Sequence, residues 1–127
     1  MRLTNAMIFV TDLPRMRAFY AQVLQREPVN TEWTDRWTLF ETGGSDLALH
    51  LIPAEALAEG ETASPPHPRE NSPVKLTFTV QDVQAERARL ERIGVTILQR
   101  PWQQPDESCD CLDPEGNIFQ VARVGGP

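Results

Sequence analysis

Two stretches of this chain repeat one another at a constant spacing of 70 residues, and a chain built that way has few folds open to it. Shifted by that amount, Asn5 to Leu13 falls over Lys75 to Val83, setting Val10 on Val80 and Asp12 on Asp82. The same shift lays Leu47-Ala-Leu-His-Leu51 over Asn117-Ile-Phe-Gln-Val121. One offset that aligns both a strand-to-cap junction and a terminal strand points to duplication of a single unit.

Each copy reads as strand, helix, then three strands. In the first, residues 5–10 form a strand, and Asp12 caps a helix with Pro14 in its first turn, where a missing N–H costs little. Met16, Phe19, Tyr20, Val23 and Leu24 then make one apolar stripe at helical period. Val29 to Trp33, Trp37 to Thr42 and Asp46 to Ile52 follow as three short extended runs, separated by Thr34-Asp35-Arg36 and Gly43-Gly44. In the second copy, Pro73 to Val80 alternates apolar and polar residues, and Asp82 caps a helix closed by Gly94. Val95 to Leu98, the stretch around Ser108 to Leu112, and Ile118 to Val124 complete it, with a turn at Asp113 to Asn117. Residues 53–73, dense in Pro, Glu and Ser and without periodicity, read as a linker. The expectation is one domain over 1–127, an α+β fold of two βαβββ modules at 1–52 and 74–127.

A chain of 127 residues buries roughly two thirds of its unfolded surface, enough for a core without disulfides. Cys109 and Cys111 stand one residue apart, which suits neither a usual disulfide nor a C-x-x-C clip, so reduced, packed thiols are expected. The net charge of −6 argues against a nucleic-acid partner, whose phosphates need clustered Lys and Arg. No stretch approaches about 18 apolar residues, so no membrane span is expected. The start, MRLTNAMIFV, lacks the pattern of a signal peptide, and a cytoplasmic location is expected.

Strand parity sorts the side chains. Leu47, Leu49 and Leu51, with Leu76, Phe78 and Val80, form faces suited to packing under helices. The opposite faces carry Asn5, Met7 and Phe9; Ala48, His50 and Ile52; Lys75, Thr77 and Thr79; and Ile118, Gln120 and Ala122, a mixture found in pocket walls. Asp12, Asp82 and Asp113 each have a structural task as cap or turn residue, so no catalysis is assigned to them. The second helix, with Glu86, Arg87, Arg89, Glu91 and Arg92, reads as a solvated face held by i, i+3 and i, i+4 pairs.

The segments Ile8-Phe-Val-Thr-Asp-Leu13, Phe78-Thr-Val-Gln-Asp-Val83 and Asp113-Pro-Glu-Gly-Asn117 resemble the vicinal oxygen chelate superfamily, which includes glyoxalase I, bleomycin-resistance proteins and extradiol dioxygenases. The resemblance implies two βαβββ modules forming a cup-shaped mixed sheet with helices on its outer face, commonly as a homodimer. It implies also that metal-dependent members would place ligands at Asn5, His50, Lys75 and Gln120. None of these is the usual residue, and a Lys ammonium has no lone pair to give a metal. The resemblance is therefore to metal-independent members, with no cofactor and no assigned catalytic residue.

On that reading a small organic ligand sits in the cup, touched by Asn5, Met7, Phe9, Trp33, Trp37, His50, Lys75, Thr77, Trp102 and Gln120. The three Trp residues would supply flat walls, although core or interface packing is the ordinary use of each. His50 could equally be satisfied by a neighbour or water, and Lys75 could snorkel to solvent or pair with an acidic ligand group. Two other readings stay open. One is a glyoxalase-like lyase, isomerase or dioxygenase with a divalent metal at His50, Asn5 and Gln120, or working without metal through Lys75. The other is a dimerisation module whose cup is filled by its own side chains.

Overall fold

The computed structural model describes residues 1–56 and 66–125, so most of the linker's first half lies outside the described residues. The chain divides into two compact units, Met1–Ser64 and Pro65–Pro127, each with its own sheet and helix.

In the first unit, β1 (Asn5–Val10) leads into α1 (Leu13–Leu24), followed by β2 (Trp37–Phe40) and β3 (Asp46–Leu51). The Asp12 carboxylate accepts the Arg15 backbone N–H at 3.2 Å, as a cap should, and Gln25 closes the helix in the left-handed region at φ 53°. Leu13, Met16, Tyr20 and Val23 are buried against Leu47 and Leu49, giving this unit its core. β3 lies between its neighbours, parallel to β1 and antiparallel to β2.

The second unit has β4 (Leu76–Val80), α2 (Val83–Arg92), β5 (Thr96–Leu98), β6 (Ser108–Leu112) and β7 (Ile118–Arg123), in the sheet order β4-β7-β6-β5. Asp82 accepts from the Ala85 N–H at 3.0 Å, and Gly94 follows the helix at φ 91°. The expected helix-face pairs form, Arg87 to Glu91 and Arg89 to Glu86. Asp113 accepts from the N–H groups of Glu115 and Asn117 and from Asn117 Nδ2, which fixes the turn before β7. Gly116 in that turn has φ 88°, and a Cβ there would come within 2.3 Å of the His67 carbonyl oxygen. The residues around His67 thus lie directly on the turn, and only glycine fits beneath them.

Two expectations need correction. Val29 to Trp33 is not a strand. Val29 N–H does reach Leu39 O at 2.8 Å, but the next links come from the Asn30 side chain, which accepts from Leu39 N–H at 2.9 Å and donates to Trp37 O at 3.1 Å. An amide side chain replacing backbone partners ends the ladder, and Trp33 then takes φ 60°. The second correction concerns the repeat. Ala6 pairs with Leu47 and Leu76 pairs with Phe119, so the terminal strands are related by 72 residues, not 70. An even slip preserves which face each residue occupies. It does make Gln120 the counterpart of Ala48 and Ala122 the counterpart of His50.

Candidate functional site

Where the second unit has β5 beside β6, the first has the irregular residues 29–33 beside β2. The space between that segment and the open face of the sheet is a cavity of about 640 Å³, with residues 29–33, Met7, Trp37 and His50 as its walls. Cross-strand register builds its floor: Trp37 pairs with His50, and His50 pairs with Phe9. The Phe9 and His50 rings stand 5.7 Å apart at 48°. Trp33, 66 % exposed, forms the rim. Holding a bulky residue in the left-handed region costs about 1–2 kcal/mol.

His50 Nδ1 is buried and has no hydrogen-bond partner among the described residues. Leaving such an atom unmet costs about 1–3 kcal/mol. Asn30, by contrast, spends both ends of its amide on the backbone of Glu32, Trp37 and Leu39, and so shapes the wall without being available to a ligand.

The second unit places a different chemistry on its open face. Asp110, 2 % exposed, accepts from Lys75 Nζ at 3.2 and 3.4 Å, from Arg100 Nε at 3.1 Å and from Gln103 Nε2 at 2.9 Å. Arg100 also donates twice to Glu70 at 3.0 Å. These hydrogen bonds, to Asp110 first and then to Glu70, raise the Arg100 guanidinium above its ordinary range. Thr77 Oγ1 donates to Gln120 Oε1 at 2.9 Å. On the helix side of β6, Cys109 and Cys111 are both buried, and the hydrogen bond with Cys109, followed by burial, pushes the Cys111 thiol far up. They are packing residues.

Of the ten residues singled out from the sequence, Met7, Trp33, Trp37 and His50 meet in one cavity, with Phe9 beside them. Asn5 is on the same face but pairs with Asp46, four residues along the strand from Phe9. That is about 13 Å from the position opposite His50. Thr77 and Gln120 belong to the second sheet, Lys75 directly precedes β4, which starts at Leu76 and not at Pro73 as expected, and Trp102 lies in the loop before β6 with the Arg100 guanidinium 6.0 Å from its ring centroid. Lys75, read from the sequence as snorkelling to solvent or pairing with an acidic ligand group, pairs with Asp110 of its own unit. Asp110 itself escaped notice, although parity held the signal: with Cys109 and Cys111 on one face of β6, Asp110 must share the other with Gln120, its partner in register.

The donor set does not suit a divalent cation. Lys75 is an ammonium paired to a carboxylate, the Gln120 amide oxygen is engaged by Thr77, and Asn5 is a strand-length away from His50. Among the described residues, no three His, Cys, Asp or Glu side chains converge on a point where a metal could bind.

A family model described as "Glyoxalase-like domain" matches residues 5–122. Solved structures share the fold at low identity. A glyoxalase/bleomycin resistance protein/dioxygenase family enzyme from Burkholderia phytofirmans PsJN has 20 % identity and a TM-score of 0.72, over 98 % of this chain and 99 % of that one. Glyoxalase I of Leishmania major has 19 % identity and a TM-score of 0.71, over 98 % and 88 %. The fosfomycin resistance protein FosX from Listeria monocytogenes has 18 % identity and a TM-score of 0.68, over 97 % and 93 %. No curated protein matches in sequence.

Proposed function

Since the chain belongs to the glyoxalase-like domain family, within the vicinal oxygen chelate superfamily, we propose that it is a metal-independent binding protein for a small organic ligand, held in the cavity of the first unit. The observation that carries this reading is the cavity itself: two indoles and a methionine for an apolar body, and at its floor a buried His50 nitrogen with no partner. Mostly apolar walls with a few placed polar groups are what small-molecule sites have in common. Trp33 and Trp37 grip the ligand, Met7 adapts to its outline, and the His50 ring completes the floor.

We place the protein in the cytoplasm as a homodimer, in line with the habit of its superfamily; no helix among the described residues is long and apolar enough to cross a membrane. The unsuitable donors at the superfamily's metal positions support a reading without metal. Elemental analysis of the purified protein checks this, and a stoichiometric, chelator-sensitive Mn, Fe, Ni or Zn contradicts it.

The binding reading is tested with N-phenyl-1-naphthylamine, a neutral flat probe whose emission rises in apolar surroundings. A saturable one-to-one signal is expected, weakened roughly tenfold or more in Trp37→Ala, since one aromatic wall contributes on the order of 1–2 kcal/mol. A signal that never saturates, or is the same in the variant, contradicts the assignment.

A further inference from the structure

Among the described residues only one charged side chain borders the cavity, and it is an acid. Glu32 stands in the wall between Thr31 and Trp33, and no salt bridge among the described residues involves it. No Lys or Arg lines the space. The Arg17 guanidinium is bound to Thr38 Oγ1 and to Thr34 O.

The other ring-bearing walls are Trp33, Trp37 and His50. An indole π-face has a quadrupole that attracts a cation, and best so when partly desolvated. A carboxylate without a salt bridge among the described residues, beside two indoles, fits one class of ligand.

We propose that the cavity of the first unit selects an organic cation, an ammonium or guanidinium carried on an apolar or aromatic body. This rests on the binding reading above and deepens it by fixing the charge of the ligand. The cationic group sits between the Trp33 and Trp37 rings within reach of Glu32. An anionic ligand meets the opposite: a repelling carboxylate and no compensating Lys or Arg on the walls. The Lys75 ammonium and Arg100 guanidinium do not alter this, since each is bound to a carboxylate of its own unit.

The test uses three probes with one aromatic body: benzyltrimethylammonium, benzyl alcohol and phenylacetate, titrated into the full-length protein while the indole N–H resonances are followed by NMR. The cation is expected to bind about tenfold more tightly than either other probe, with the preference shrinking as salt is raised. Glu32→Gln, an exposed and nearly isosteric change, should reduce the affinity for the cation several-fold and leave that for benzyl alcohol unaltered. Equal binding of all three, tighter binding of phenylacetate, or a cation affinity indifferent to Glu32→Gln overturns the charge inference while the cavity reading stands. Failure of all three probes to shift Trp33 and Trp37 overturns both.

Discussion

In the first unit the row Met7, Ala48, Leu39 crosses the open face of the sheet, followed by the row Phe9, His50, Trp37. At the topologically equivalent places the second unit has Thr77, Gln120, Asp110 and then Thr79, Ala122, Ser108. One strand arrangement therefore carries opposite surface chemistry. The second unit has more polar groups there and spends most of them on itself: Thr77 on Gln120, and Lys75, Arg100 and Gln103 on Asp110, with Gln103 Oε1 left buried and without a partner among the described residues. The first unit has few, and it leaves His50 Nδ1 and Glu32 unspent beside exposed aromatic surface. A buried, cross-linked polar network rigidifies, whereas mostly apolar walls with a few polar groups are what small-molecule sites have in common.

The heaviest blow to that contrast is Asp110→Ala. It strips a buried acceptor from two cations and an amide at once. Lys75 is 40 % exposed in its side chain and recovers much of its hydration, so the loss falls mainly on Arg100 and Gln103. A destabilisation of about 2–3 kcal/mol is expected in urea unfolding, with probe affinity in the first unit unchanged. A variant as stable as the parent would mean that the network is not structural.

A smaller effect, of opposite sign, is expected for His50→Phe. Replacing an imidazole that has an unmet nitrogen by an apolar ring should raise stability by about 1 kcal/mol. Thermal unfolding measures this; a stability loss would show that the nitrogen is satisfied in the folded protein.

The smallest change in stability is expected for Trp33→Gly. Its indole is largely exposed and its backbone already occupies a conformation that glycine adopts freely. Stability should stay within about 1 kcal/mol of the parent while probe binding falls. Marked destabilisation would turn this indole into a packing residue.

The regular parts of the fold were legible because each has a local cause. The Asp12 and Asp82 caps, the Met16 to Val23 stripe and the alternation of Leu76, Phe78 and Val80 are all readable over a few neighbouring residues. What escaped depended on long-range geometry. Asn30 replaces a strand's backbone partners with a side chain, and its sequence neighbours, Val29 and Thr31, are good strand formers. The two-residue slip between the terminal strands is invisible to a face-parity argument, because parity survives it. As to the site, the aromatic and His50 positions followed from alternation within strands. The gathering of Lys75, Arg100 and Gln103 on Asp110 required knowing that a loop returns over β6.

The central claim is that the unspent chemistry of the first unit, and not the polar face of the second, holds the ligand. One NMR titration with benzyltrimethylammonium bears on it directly, since Trp33 and Trp37 report on the first unit and Trp102 on the second. The account predicts saturable shifts of the Trp33 and Trp37 indole N–H signals with a common affinity, while Trp102 stays fixed. Shifts at Trp102 and at the Thr77 and Gln120 amides, with Trp33 and Trp37 unmoved, would contradict it.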